Sequence, residues 1–184
     1  MISTITIWNS GSLKHPRREF RQSSFYVNNF MRQKMVLHQD YRELLNLLNE
    51  NNVDYLVICA FALGFLGAPR NTGDIDIWIR VDEENAKQIV KALNDFGFAS
   101  LGYKTADFLD SNLIIQLGVP PVRIDIIMSI SGVEFDEAFS NRNVIESKGI
   151  KINYINKEYF IKNKKASGRL KDLADIESLS LIQR

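Results

Sequence analysis

The sequence predicts an α+β fold built on a mixed β-sheet, with helices flanking it and a helical segment at the C-terminus. Two observations carry that expectation. Segments with apolar residues at helical spacing alternate with short β-branched runs, in the order α-β-α-β-α-β-β-α-β-α-α. The 184 residues are 45% hydrophobic and 24% charged, an ordinary balance for one domain with a real core.

The elements follow in order. Over residues 40–49, Tyr41, Leu44, Leu45, Leu47 and Leu48 keep a helical period, and Asn51-Asn52 ends it. Residues 53–58 read as a buried strand, 60–66 as a short buried helix or turn, and 69–73 as a loop. Residues 75–81 form the second strand. Asp82 is a good N-cap for a helix over 83–96, with Glu83 and Glu84 at its positive end and Gly97 closing it. Strands are expected at 113–117 and 122–128, separated by Pro120-Pro121. A short helix at 135–139 precedes strands or edges at 144–145 and 150–155. Asn156 caps a helix to about Ser167, Gly168 interrupts, and a last helix covers about 170–181.

The formal charge of +1 hides an asymmetry. Residues 1–34 hold Lys14, Arg17, Arg18, Arg21, Arg32 and Lys34 against Glu19 alone, a net of +5, and the remainder carries −4. Residues 1–34 are therefore expected to be a disordered basic leader, with a functional arm or a targeting segment as alternatives. The domain is expected over 35–184, its C-terminal helices at about 157–182. One cysteine, Cys59, excludes an internal disulfide framework and a Cys-based zinc cluster. Two histidines, His15 and His38, leave little for a His-rich site, so a bound metal needs oxygen ligands and would be Mg, Mn or Ca. No apolar run reaches the ~18 residues of a membrane span, and a cytoplasmic location is expected.

Asp74-Ile75-Asp76 is the sharpest local feature. Residues i and i+2 of a strand share a face, and two carboxylates there repel unless a cation lies between them. Asp125 sits in similar company, in Arg123-Ile124-Asp125-Ile126-Ile127-Met128, where a carboxylate in an apolar run is costly unless paired or metal-bound. If the two strands are neighbours, Asp74, Asp76 and Asp125 form an oxygen-only site of the kind that Mg²⁺ binding and phosphoryl transfer use. Alternatively, Asp-x-Asp recurs in calcium loops and surface strands, and Asp125 pairs with Arg123 or Arg70.

The stretch from Val57 to Ile77, with Arg70-Asn71-Thr72-Gly73-Asp74-Ile75-Asp76, resembles the signature of the nucleotidyltransferase superfamily with the DNA polymerase β-like fold. It is most similar to the small bacterial branch that includes toxin–antitoxin nucleotidyltransferases. Arg123-Ile124-Asp125 resembles the strand bearing that family's third carboxylate, and Ile130-Ser131-Gly132-Val133 the segment after it. Lys164 to Asp175 resembles the branch's C-terminal Lys-x-x-x-Gly-Arg-x-Lys-Asp-x-x-Asp motif.

The resemblance implies a nucleotidyltransferase fold and transfer of a nucleoside monophosphate from an NTP to a hydroxyl on tRNA, protein or a small molecule. Asp74 and Asp76 would bind Mg²⁺ (or Mn²⁺) and the triphosphate, and Asp125 would complete the catalytic and metal set. Arg70, Thr72 and Lys164 would serve nucleotide binding: Arg70 on phosphate or a carboxylate, Thr72 on a loop amide or the ligand. Lys164, Lys171, Asp172 and Asp175 would share a face if one helix runs through Gly168. The chain departs from the family where Gly-Gly or Gly-Ser follows the first strand: it has Cys59-Ala60. That departure motivates a second reading, a catalytically weakened binding or regulatory protein of a toxin–antitoxin pair with a cognate partner protein. A glycosyltransferase using Asp-x-Asp is a third, in which Asp125 has no required place.

Overall fold

The computed structural model describes residues 37–182; the basic leader expected over 1–34 lies outside them. Six strands form one mixed sheet: β1 (Tyr55–Val57), β2 (Asp74–Ile79), β3 (Ile114–Leu117), β4 (Arg123–Ile127), β5 (Asn143–Ser147) and β6 (Ile150–Tyr154). Among the described residues six α-helices accompany it: α1 (Gln39–Glu50), α2 (Cys59–Phe65), α3 (Glu83–Leu93), α4 (Phe135–Ser140), α5 (Lys157–Ser167) and α6 (Leu170–Leu181). The strand order is β3-β4-β2-β1-β6-β5. β2 pairs with β4 and β1 with β6 in parallel, and the other three pairings are antiparallel. The expected α+β class is what the chain adopts. Residues 143–147 and 150–154 make a true hairpin, one strand more than the expected order counted.

Local chemistry sets the helix boundaries. α1 buries Tyr41, Leu44, Leu45 and Leu48, the i, i+3, i+4, i+7 stripe of an amphipathic helix. Each such leucine contributes ~2 kcal/mol of burial. The Asp82 carboxylate accepts from the Asn85 N–H at 2.8 Å, the expected N-cap of α3, which stabilises the helix by ~1 kcal/mol. α3 ends at Leu93, short of the expected 96, because the chain loosens over 94–98 and turns at Gly97 with φ +101°. Asn156 caps α5 through the Tyr159 N–H at 3.0 Å.

One face of β2 and β4 is apolar: Ile75, Ile77, Ile124 and Ile126 are each no more than 3% exposed. The other face carries Asp74, Asp76 and Trp78. Trp78 is sealed by Phe135 of α4, ring to ring at 5.0 Å. Period-2 alternation thus pushes the acids out of the core and onto the face left open at one end of the strands. The Tyr41 hydroxyl anchors the start of β4 by donating to the carbonyls of Pro121 and Arg123, both at 3.2 Å.

Candidate active site

The parallel pairing of β2 with β4 sets Asp76 directly beside Asp125 and Asp74 directly beside Arg123. Paired strands lie ~4.8 Å apart, and partners in register project on the same face. The expectation that these strands are neighbours is met, and three acids and one cation share one small patch of sheet. They floor an open cleft of about 800 Å³ whose rim includes Ser131, Asn163, Arg169 and Lys171.

Arg123 binds two of the acids. Its Nε donates to Asp125 Oδ1 at 2.7 Å, and its Nη2 donates to Asp125 Oδ2 at 2.9 Å and also to Asp74 Oδ2. One nitrogen reaching both carboxylates keeps those oxygens within about 6 Å of each other, twice a hydrogen-bond length. Gln116, on β3 opposite Asp125, donates to Asp125 Oδ2 at 3.2 Å. Asp125 is 6% exposed, so these charge-assisted bonds keep a buried carboxylate satisfied. The Thr72 hydroxyl, for which a loop amide or the ligand was expected, donates to the Asp74 carboxylate and lies 3.4 Å from the Asp74 carbonyl. It thereby fixes the rotamer of the first acid.

Asp76 is the acid outside that pairing. Burial, then repulsion from Asp74 and Asp125, pushes its pKa up to about 6, opposed by a hydrogen bond from the Cys59 thiol and by the charge of Lys164. Burial and the neighbouring Asp76 push the Cys59 thiol in turn up to about 12. Such a thiol is protonated at neutral pH and is no nucleophile. Cys59 opens α2 at φ +52°, in the left-handed region. This is the position at which the resembled family carries glycine, and the reason is visible here: the turn from β1 into α2 needs a positive φ.

The remaining expected ligands are placed differently. Gly168, at φ +66°, ends α5 and its N–H bonds the Lys164 carbonyl at 3.2 Å, so α5 and α6 are two helices and no shared face runs through them. Lys164 is 2% exposed. Its ammonium donates to Asp172 and lies 3.6 Å from Asp175 and 3.9 Å from the Cys59 sulfur. Arg70 forks onto Asp175, with Nε to Oδ1 at 2.9 Å and Nη2 to Oδ2 at 3.4 Å. Burial alone would raise the Asp172 carboxyl, yet hydrogen bonds from Lys164, Arg169 and Ser167 hold it well below the usual range. Arg70 and Lys164 therefore tie α6 beside the acids and spend their charge on that helix. Lys171, on the rim, makes no such pair among the described residues. Every fully buried side-chain polar atom among the described residues has a partner.

Sequence reasoning gave no role to Gln116 or Ser167, and held Arg169 only as the arginine of the C-terminal motif. Gln116 left a trace, a lone amide in Ile114-Ile115-Gln116-Leu117, where period-2 packing has no use for one. Of the partners of Asp172, Lys164 and Arg169 stand in the C-terminal motif and Ser167 left no trace; their convergence on one carboxylate is set by the turn at Gly168.

Oxygen-only donors suit Mg²⁺ or Mn²⁺, and the mutual repulsion raising Asp76 is what a cation would relieve. Among the described residues, however, no three acidic or His/Cys side chains stand arranged to hold an ion together. The set that fits is the Asp74–Asp76 pair with phosphate oxygens supplying the rest, the usual economy of Mg²⁺ sites.

No family model and no curated protein matches the chain. It is similar to a solved structure from Thermotoga maritima, provisionally assigned as a nucleotidyltransferase, at 20% identity and TM-score 0.49, covering 78% of this chain and 91% of that one. It is also similar to an antigenic nucleotidyltransferase-like protein from Paracoccidioides brasiliensis, at 16% identity and TM-score 0.45, covering 79% and 77%. Among the described residues no helix is long and apolar enough to cross a membrane.

Proposed function

We propose that the chain is a nucleotidyltransferase that moves a nucleoside monophosphate from an NTP to a hydroxyl acceptor. The observation carrying this reading is the parallel β2–β4 register, which sets Asp76 beside Asp125 with Asp74 two residues away on the same face, at the floor of an open cleft. Asp74 and Asp76 would hold Mg²⁺ or Mn²⁺, which supplies charge neutralisation at the phosphates when bound. Asp125 accepts the acceptor's proton. The acceptor oxygen bonds the α-phosphorus as the bond from that phosphorus to the bridging oxygen breaks, and pyrophosphate leaves with the electron pair. Thr72 keeps the first carboxylate oriented, and in the free protein Arg123 gathers the first and third; Arg169 and Lys171 on the rim meet phosphate or acceptor charge. The acceptor is tRNA, protein or a small molecule, and the setting is the cytoplasm.

The test is incubation with each α-labelled NTP and divalent metal, with and without tRNA and total cell protein. Label transfer is expected with the wild type and not with Asp76→Asn or Asp125→Asn. Neither transfer nor thermal stabilisation by any NTP with Mg²⁺ would end this reading.

A second reading has one observation in its favour. Cys59 puts a side chain and a strained φ where the resembled family has an open glycine. A regulatory member of a toxin–antitoxin pair would keep the fold without the transfer. Stabilisation by a cognate partner protein, with none from NTP and Mg²⁺, would decide for it.

A further inference from the structure

The acid cluster contains a cation of its own. Arg123 stands beside Asp74 across the strand pairing and two residues before Asp125, so one guanidinium reaches both carboxylates. Its Nε and Nη2 occupy both oxygens of Asp125, and Gln116 takes a further lone pair. Oxygens that would face an ion face the guanidinium. This accounts for the absence of a three-carboxylate ion site among the described residues, although three carboxylates are gathered there. Hydrogen bonding to Asp125, foremost, raises the pKa of Arg123 further, so it carries a full charge.

Two cations at one carboxylate compete, and Asp74 is the acid that the guanidinium and an ion on Asp74 and Asp76 would share. The planar fork of arginine also suits phosphate as well as carboxylate, which a lysine's point charge does not match. The Arg123 side chain is 25% exposed, on the cleft side, and has room to turn. We propose that Arg123 is a resident counter-cation: it gathers Asp74 and Asp125 in the free protein, competes with a divalent ion for Asp74, and passes to the substrate's phosphate oxygens when the ion enters. The inference rests on the nucleotidyltransferase reading. Arg123 acts here as a positioning residue in the free protein and as a phosphate ligand in the loaded one.

The experiment measures Mn²⁺ binding, by the electron paramagnetic resonance of free Mn²⁺, for the wild type, Arg123→Gln and Arg123→Lys, with circular dichroism to check folding. Without nucleotide, Arg123→Gln is expected to bind Mn²⁺ at least tenfold more tightly than wild type, with Arg123→Lys between them. With a non-hydrolysable NTP the order reverses, because the variants have lost the phosphate partner. Equal or weaker Mn²⁺ binding by Arg123→Gln without nucleotide overturns this inference and leaves the nucleotidyltransferase reading standing. If Arg123→Gln does not fold, Arg123→Lys decides alone, and an affinity equal to wild type overturns the inference. Absence of Mn²⁺ binding by every variant, with and without nucleotide, overturns both.

Discussion

Replacing Asp76 with asparagine should make the metal-free protein more stable at neutral pH, although it removes a residue at the heart of the proposed site. Asp76 is half-buried, with Asp74 on its own strand and Asp125 directly across. Its pKa rises from 3.8 to about 6. A folded-state pKa above the unfolded one means that the proton stabilises the fold. The contribution is complete below pH 4 and is lost as pH climbs through about 6. The full rise corresponds to about 3 kcal/mol at ~1.4 kcal/mol per tenfold, and partial exposure discounts it to about 1–3 kcal/mol. The amide of the variant has no charge to lose. Urea denaturation without divalent ions, at pH 4.5, 5.5, 6.5 and 7.5, should therefore show the Asp76→Asn midpoint pulling ahead of wild type by about 1 M at the highest pH, for a slope of ~2 kcal/mol/M. Added Mg²⁺ should shrink the gap by stabilising the wild type alone. Asp172 has the opposite sign, since its depressed carboxyl supports the fold above pH 4 and fails in acid, which is why the series stops at pH 4.5. Parallel pH profiles for the two proteins, or a less stable variant at pH 7.5, would refute the reasoning.

Three further outcomes follow from the geometry. Cys59→Gly should raise stability by about 1 kcal/mol by relieving the left-handed backbone at φ +52°, read as a higher urea midpoint; a lower midpoint would mean that thiol packing outweighs strain. Lys164→Met should cost about 3 kcal/mol, because it strips a cation from buried Asp172 and Asp175, whereas an unchanged midpoint would return Lys164 to a purely ligand-facing role. The native Cys59 thiol, pushed up to about 12, should react with a disulfide reagent at pH 8 at least 100-fold more slowly than in the urea-unfolded chain; comparable rates would contradict its burial against Asp76.

The α+β class, nearly every element and the three acids are legible in the chain before it folds, because they are written in local periods. Helical spacing, β-branched runs and caps such as Asp82 and Asn156 act within a few residues, and Asp74-Ile75-Asp76 declares a shared face by alternation alone. What the charged residues do is settled by long-range packing. Arg123 meets Asp74 from a distance of 49 residues and Arg70 meets Asp175 from 105, pairings set by strand register and by the turn at Gly168. Lys164 is a plain lysine in the sequence and a buried ion-pair partner in the fold, because a charge left alone at 2% exposure is too costly to keep. Local spacing names the acids; three-dimensional packing chooses their counter-ions, since charge pairing depends on distance in space and carries no period along the chain.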